Sequence, residues 1–382
     1  MPYVTVRNIP TPRQITIDDI IFGRDLPEPR NHDYTSTRTR YVASIPEVPG
    51  FSIELESMIE TLEEFCAQYA DLYEADRRSL YTHFDIPKKS GGLRPIDKPC
   101  DELMSALYEL KHIFEHRLYA LYHTSAFAYI KGRSPVKAVQ KHQKNESKWF
   151  GKFDFKSFFP STSPGFVFSM LSQLFPFCFI TGTPRGAEAL KRALDLAFLD
   201  GGLPQGTPMS PMLTNLMMIP MDHTIANKLH NWEGQKFVYT RYADDILISS
   251  RYAFSIRQME QYINEVVASF HAPFKLNAEK TRYGSSAGRN WNLGLMLNKD
   301  NEITLGRKRN EQFRAMVNNY AADRVHGKSW PLDDIQRLDG HISYHRSIER
   351  DHTDAIISRI NAKYGIDVRE CIAEDKRGYI AG

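Results

Sequence analysis

Apolar residues recur at intervals of three and four along several stretches of the chain, which is the spacing of one buried helix face. This spacing predicts amphipathic helices over residues 53–81, 102–122, 164–175 and 187–199. Ser210 followed by Pro211 combines a capping side chain with a residue suited to the first helical turn. The helix that they open should run to about Leu229, with a kink or interruption at Pro220.

Shorter apolar runs between these segments predict strands. They cover residues 83–96, 149–155, 237–249, 291–297 and 302–305. The triplet Ser90-Gly91-Gly92 predicts a tight turn inside the first run. The turn-rich segment from Asn298 to Asn301 links the last two runs into a hairpin.

The chain has 382 residues, of which 42% are hydrophobic and 25% charged. These values are typical of a globular protein with room for more than one packed subdomain. No apolar run approaches the roughly 20 residues of a membrane span, and the start is not a signal peptide. We therefore expect a cytoplasmic protein with no membrane partner. The cysteines lie far apart, which favours isolated thiols over disulfides or a zinc site.

Basic residues cluster between positions 131 and 152, with Glu146 as the one acid among them. The members are Lys131, Arg133, Lys137, Lys141, Lys144, Lys148 and Lys152. A basic stripe of this kind would suit a polyanion held close to a metal site. A solvated helix face is the other interpretation, and the charge pattern alone does not separate the two.

Two adjacent carboxylates interrupt the apolar run over residues 237–249. Asp244 and Asp245 follow Tyr242-Ala243, so they fall at the predicted turn between two strands. Neighbouring carboxylates repel each other unless a cation lies between them, and hard oxygen ligands suit magnesium. For such a tetrapeptide taken alone, an exposed turn is the alternative.

Asp154 is a lone acid inside an aromatic strand, where strand propensity calls for no acid. If it faces Asp244, the carboxylates could hold two magnesium ions. Such a pair of ions clamps an attacking 3′-hydroxyl and a departing pyrophosphate. The alternative is a core aspartate that caps a helix start near Lys156.

A glycine-bracketed loop over residues 201–211 lies between these acids in the chain, and Gln205 could bond a base or sugar edge there. Alone, it could be only a loop rich in turn residues. The order of these motifs along the chain separates the two interpretations. It closely resembles the palm of reverse transcriptases, in which an aspartate such as Asp154 is followed by Gln-Gly-x-x-x-Ser-Pro and then by Tyr-x-Asp-Asp. The resemblance covers roughly residues 80–350.

Within this family the chain resembles bacterial retron, group II intron and phage-defence enzymes, through residues 93–96, 127–134 and 240–245. The resemblance implies an α+β, right-hand polymerase with fingers, a palm with an antiparallel sheet and a helical thumb. It divides the chain into an N-terminal extension with a helix (1–80), fingers and palm (81–290), and a primer-grip hairpin with the thumb (291–382).

Two departures weaken the assignment to retrons in particular. The Asn-Ala-x-x-His element of retron enzymes is only loosely echoed by the segment from Lys137 to His142. Their valine-threonine-glycine triplet is replaced by Leu293-Gly294-Leu295. A non-retron defence enzyme therefore gains weight.

The resemblance also implies roles for individual residues. The catalytic carboxylates would be Asp154, Asp244 and Asp245. Two Mg²⁺ ions, or Mn²⁺ in their place, would be bound by these acids and the backbone carbonyl of Phe155. The dNTP would be bound by Lys88, Lys89, Arg94, Phe159, Gln205, Gly206 and Lys280. In this set Phe159 is the steric gate against a 2′-hydroxyl, and Lys280 is a candidate acid for pyrophosphate. Nucleic acid would be contacted by Lys131, Arg133, Lys137, Lys141 and His142.

The function implied is RNA-directed DNA polymerase activity that makes cDNA from a structured non-coding RNA, in antiphage defence. The partners would be that RNA, the DNA product and dNTPs, while a protein partner or self-association stays open. Two alternatives remain. One is template-independent or protein-primed DNA synthesis on the same palm. The other is a catalytically idle RNA-binding module that signals to a partner.

Overall fold

A computed structural model describes residues 51–87, 91–118, 120–230, 232–286, 291 and 294–381. The chain forms two compact units. Among the described residues, the first comprises those from Phe51 to Leu121 and Ser163–Ser210; the second comprises Tyr122–Thr162 and those from Pro211 onward. Residues 1–50 of the predicted N-terminal extension lie outside the described part, and the domain bounds at 80 and 290 stay a prediction. No helix in the described ranges is both long and apolar enough to cross a membrane.

The described segments contain many helices and shorter strands. The helices are α1 (Phe51–Gln68), α2 (Ala70–Glu74), α3 (Asp101–His112), α4 (Pro135–Lys144), α5 (Phe158–Ser161), α6 (Pro164–Leu171), α7 (Phe177–Ile180), α8 (Pro184–Asp195), α9 (Met209–Met217), α10 (Ile219–His230), α11 (Ile256–Ser269), α12 (Arg307–Val325), α13 (Leu332–Ile348), α14 (Arg350–Tyr364) and α15 (Val368–Ala381). The strands are β1 (Tyr81–Pro87), β2 (Leu93–Pro99), β3 (Trp149–Lys156), β4 (Phe237–Tyr242), β5 (Asp245–Ser250), β6 (Lys275–Leu276), β7 (Arg282–Ser285), β8 (Met296–Leu297) and β9 (Ile303–Thr304).

Helix α1 supplies much of the core of the first unit. Its apolar face, including Met58, Leu62 and Phe65, is buried, and the helix packs against α7 and α8. The sequence predicted one helix to residue 81, but α1 ends at Gln68, followed by α2 and a 3₁₀ turn over Arg77–Leu80. The predicted helix was therefore too long, because helical spacing does not show where the backbone breaks.

The first unit also holds an antiparallel hairpin formed by β1 and β2, as predicted. The loop over residues 201–206 lies against β2, since the amide of Asp97 donates to the carbonyl of Gln205 at 2.8 Å. Gly206 has a φ of +129°, and a Cβ on it would lie 2.8 Å from the Asp97 carbonyl oxygen. Only glycine allows this close approach without strain.

The second unit is built on a five-stranded antiparallel sheet in the order β4-β5-β3-β6, with β7 also paired to β3. Strand β3 lies at its centre because Phe153 and Phe155 are buried in the core. Helices α4 and α10 pack on β4, and α11 packs on β6. The interruption predicted at Pro220 is confirmed, since α9 ends at Met217 and α10 begins at Ile219.

The C-terminal part of the second unit is helical, as predicted. Helices α12–α15 share a core that includes Phe313, Val317, Leu338 and Ile357. The predicted second hairpin is confirmed in shorter form by β8 and β9, which pack near α4. All four cysteines are free thiols, as expected from their spacing.

Candidate active site

The turn between β4 and β5 carries the two adjacent acids. Tyr242 and Asp245 are paired across the hairpin, so Ala243 and Asp244 form a two-residue loop. Ala243 lies in the left-handed region, with a φ of 56°. A residue other than glycine that adopts a positive φ at a turn stores backbone strain of about 1 kcal/mol. The predicted hairpin is confirmed, with the acidic pair at its tip.

Strand β3 brings a third acid to this turn. Asp154 is paired with Asp245 across the two strands. The amide of the next residue, Phe155, donates to the carbonyl of Asp244 at 3.1 Å. Asp154 itself is only 4% exposed. Asp154, which is distant in the chain, therefore meets the adjacent pair Asp244 and Asp245 because β3 and β5 are neighbours in the sheet.

Two lysines contact these acids. The Nζ of Lys280 lies 2.8 Å from Oδ1 and 3.0 Å from Oδ2 of Asp154. The Nζ of Lys152 lies 2.9 Å from Oδ1 of Asp245. Lys280 reaches Asp154 because a 3₁₀ turn over Ala278–Lys280 follows β6, which is paired with β3. The contact made by Lys152 was not predicted, although its position two residues before Asp154 on a strand places both side chains on one face.

The electrostatics of the site centre on Asp244. Burial, together with the neighbouring charges of Asp154 and Asp245, raises the pKa of its carboxyl to about 6. Within the described residues, no three His, Cys, Asp or Glu side chains form a ready metal-binding group. Asp154 and Asp245 each hold an ammonium group instead. The oxygen donors and the mutual repulsion of the carboxylates nevertheless fit a divalent cation.

Comparison with protein families matches residues 86–305 to the family described as "Reverse transcriptase (RNA-dependent DNA polymerase)". The chain belongs to the reverse transcriptase family. Its activity is thus RNA-directed DNA polymerisation, and its fold is the right-hand polymerase fold of that family. Enzymes of this family generally use divalent metal ions.

Individual relatives place this reverse transcriptase with bacterial enzymes. It is 26% identical to the retron Ec73 reverse transcriptase of Escherichia coli, over 75% of this chain and 87% of that one. It is 25% identical to the retron Ec83 reverse transcriptase of the same species, over 86% and 99% of the two chains. Apo telomerase from Candida tropicalis, truncated from its C-terminal domain, matches with a TM-score of 0.45 and 14% identity, over 60% of this chain and 55% of that one.

The residues predicted to bind the dNTP are distributed over both units of the reverse transcriptase. Arg94 is exposed on β2, and Gln205 and Gly206 lie in the loop bonded to that strand, all in the first unit. Lys88 and Lys89 lie outside the described residues. Phe159 and Lys280 belong to the second unit, which also holds the three acids.

Phe159 lies in the short helix α5, directly after β3. Ser157 adopts a left-handed conformation with a φ of 51°, which turns the chain out of the strand. Phe158 then stacks on Phe155 in the core, while Phe159 meets Phe158 edge-on and stays half-buried. Phe159 thus keeps an accessible face within a rigid aromatic cluster.

The residues predicted to contact nucleic acid differ in their surroundings. Lys131 and Lys137 are exposed, and the ammonium of Lys137 donates to the Gly132 carbonyl. The guanidinium of Arg133 donates to the backbone carbonyls of Tyr122, His123 and Ala126, so it organises its own loop. The ammonium of Lys141 donates to the carbonyl of Thr124 at 2.6 Å.

The prediction for His142 is wrong. Its ring is fully buried, with Nδ1 2.6 Å from the Ser249 hydroxyl and Nε2 2.8 Å from the Thr240 hydroxyl. Both ring nitrogens are thus engaged inside the protein and cannot reach a nucleic acid. His142 was predicted to contact nucleic acid because it lies within the basic stripe. In the structure, helix α4 directs its side chain towards the sheet.

Proposed function

We propose that this reverse transcriptase copies a dedicated, structured non-coding RNA into DNA, and that the product serves antiphage defence in the cytoplasm. The convergence of Asp154, Asp244 and Asp245 at one turn carries the catalytic part of the proposal. The RNA template is inferred from the relatives, which are named as retron reverse transcriptases. The defence role follows from the same likeness.

Asp154 and Asp244 would be the principal ligands of two Mg²⁺ ions, with Asp245 and the Phe155 carbonyl in supporting roles. Bound divalent ions supply Lewis acidity at the attacking hydroxyl and at the phosphate under attack. Lys280 has its ammonium beside Asp154, within the described site. It would hold a proton there and donate it to the departing pyrophosphate.

The remaining dNTP contacts would select and orient the nucleotide. Arg94 presents an exposed guanidinium suited to bidentate contact with phosphate, and Lys88 and Lys89 would add point charges. Gln205 and Gly206 would lie along the nucleotide and template. The ring of Phe159 would crowd a 2′-hydroxyl and so favour deoxynucleotides.

The test uses the full-length protein purified together with its bound RNA, supplied with Mg²⁺ and labelled dNTPs. Wild type should make labelled DNA whose sequence is complementary to the co-purified RNA. Asp244→Ala should make none, while the control Asp351→Ala, at an exposed position on α14, should match wild type. No DNA from wild type, or equal DNA from Asp244→Ala, would contradict the catalytic proposal.

The same experiment separates the alternatives. DNA that stays attached to protein after RNase treatment would indicate protein priming, and product without complementarity to RNA would indicate template-independent synthesis. Defence is tested by phage plating on cells that express the protein. Full protection by Asp154→Asn would favour an RNA-binding signalling module instead.

A further inference from the structure

Arg241 is the largest fully buried side chain in the described part of the protein. It lies on β4, just before the catalytic turn, and its side chain has 0% exposure. Placing a guanidinium inside a sheet carries a large desolvation penalty unless every donor finds a partner. In the sequence, Arg241 is marked only as a member of the segment 240–245 that resembles the family.

A second buried charge meets this arginine. Asp222, in the first turn of α10, accepts from Nε at 2.9 Å and from Nη2 at 2.8 Å, which is the bidentate geometry of strong pairs. Tyr239 also donates to Asp222, at 2.6 Å. Burial disfavours the charged guanidinium, but Asp222 outweighs it and raises the pKa of Arg241 on balance.

The third contact of the guanidinium joins Arg241 to the catalytic turn. Nη1 donates at 3.0 Å to the backbone carbonyl of Ala243. That carbonyl belongs to the peptide group that leads directly into Asp244, at the residue whose φ is 56°. The backbone of Arg241 is itself fixed, since its amide donates to the Ser125 carbonyl at 2.7 Å and its carbonyl accepts from the Phe127 amide at 2.9 Å.

A buried ion pair adds little net stability compared with apolar residues of the same volume. Stability alone therefore does not account for a fully buried Arg241–Asp222 pair. The hydrogen bond from Arg241 to the Ala243 carbonyl accounts for the buried pair, because it fixes a strained turn that would otherwise sample other conformations. A rigid supporting contact of this kind holds catalytic groups within a fraction of an ångström of their working geometry.

We propose that Arg241 is a positioning residue for DNA synthesis: clamped by Asp222, it holds the Ala243 carbonyl and thereby the placement of Asp244 relative to Asp154 and Asp245. The inference rests on the proposed catalytic role of Asp244. Arg241 acts through the turn, without contact with substrate.

The decisive variant removes the charges without leaving one unpaired. Arg241→Met alone would strand Asp222, so Asp222→Leu and Tyr239→Phe are added to give an apolar triple variant. We expect this variant to melt near the wild-type temperature. Its kcat should fall by about 10- to 100-fold, since small misplacement of a catalytic group has effects of that size. KM for dNTP should change little, and backbone amides 243–245 should exchange faster with solvent.

A second variant keeps the test valid if the triple variant does not fold. Arg241→Lys retains a cation for Asp222 but cannot make the bidentate pair and reach Ala243 together. It should fold, and its kcat should be reduced. A folded triple variant or Arg241→Lys protein with wild-type kcat and unchanged amide exchange would overturn the proposal. A wild-type protein that makes no DNA, or an active Asp244→Ala, would instead overturn the proposed function.

Discussion

At the scale of single residues, the site brings together three carboxylates whose negative charges repel one another, and burial adds a desolvation penalty to that repulsion. Asp244 has its pKa raised to about 6, whereas Asp154 and Asp245 each hold a lysine. The acids could be predicted from the sequence because an acidic residue is conspicuous in an apolar strand. Lys152 was not, because a lysine at a strand position fits a solvated face equally well.

Phe159 yields the prediction at this scale. Phe159→Ala should reduce discrimination against ribonucleotides by about 10- to 100-fold, because the alanine leaves room for a 2′-hydroxyl. The measurement is the ratio of kcat/KM for a dNTP and the matching rNTP. Phe254→Ala is the control, since Phe254 is also half-buried and meets aromatic rings edge-on. One of these rings is Phe237, at the end of β4 away from the turn. Unchanged sugar selectivity in Phe159→Ala would remove the gate assignment.

At the scale of elements, long-range pairing decides what the sequence could not. The hairpin of β4 and β5 follows from adjacent apolar runs, but β6 and β7 are too short to be recognised before they pair with β3. Lys280 meets Asp154 only through that pairing. His142 was misplaced for a related reason, since its partners, Thr240 and Ser249, lie on β4 and β5.

The buried His142 ties α4 to the hairpin and gives stability a pH dependence. Burial lowers its pKa to about 3. Below about pH 6.5 the unfolded chain takes up a proton while the folded ring stays neutral, so the free energy of unfolding falls as pH drops. The loss is about 1.4 kcal/mol per pH unit for each such histidine. Burial gives His123 and His345 a lowered pKa of about 4, with the same sign.

We therefore expect the free energy of unfolding, measured with urea between about pH 7 and pH 5, to depend less steeply on pH in His142→Gln than in wild type. The difference in slope should correspond to about one proton fewer taken up on unfolding. His142→Gln should also be less stable at neutral pH, because the hydroxyls of Thr240 and Ser249 lose well-placed partners. His326→Gln, at an exposed position, is the control and should keep the wild-type slope. An unchanged slope in His142→Gln would show that the ring takes up its proton as readily in the folded protein as in the unfolded chain.

Gly206 gives a second prediction for an element, the loop that lies on β2. Gly206→Ala should destabilise the protein by about 2–4 kcal/mol, because the methyl group meets the Asp97 carbonyl in addition to the backbone strain. Gly201→Ala is a matched control: its φ is +80°, and a Cβ there meets nothing within 4 Å. It should lose only about 1 kcal/mol. Equal losses in thermal unfolding would mean that the loop can move away from β2.

At the scale of the whole molecule, the order of motifs along the chain predicted the family and the α+β polymerase fold. Local patterns sufficed because each motif lies on a short, strongly marked segment. The buried pair of Arg241 and Asp222 escaped prediction, since nothing in the sequence shows that a strand arginine faces a helix acid. Charge distribution was only a partial guide, because three of the seven basic residues in the stripe, Arg133, Lys137 and Lys141, donate to backbone carbonyls of the protein itself.

The exposed lysines of the basic stripe are the candidates for contact with RNA phosphates. Lys131 and Lys137 are exposed, although Lys137 also donates to the Gly132 carbonyl. Arg133 and Lys141 are partly buried, and they donate to backbone carbonyls. If the first two neutralise phosphates in a single-stranded stretch of the bound RNA, replacing both by alanine should reduce the slope of log affinity against log salt by about 1.4.

The measurement is filter binding of the co-purified RNA over a salt series, with melting temperature recorded for each protein. Lys236→Ala with Lys299→Ala, two exposed lysines outside the stripe, is the control and should keep the wild-type slope. Arg133→Ala should behave differently, since it removes three bonds to carbonyls and so lowers the melting temperature. A salt slope that stays at the wild-type value in the Lys131, Lys137 variant would place the RNA elsewhere on the surface, because lost phosphate contacts must release fewer counterions.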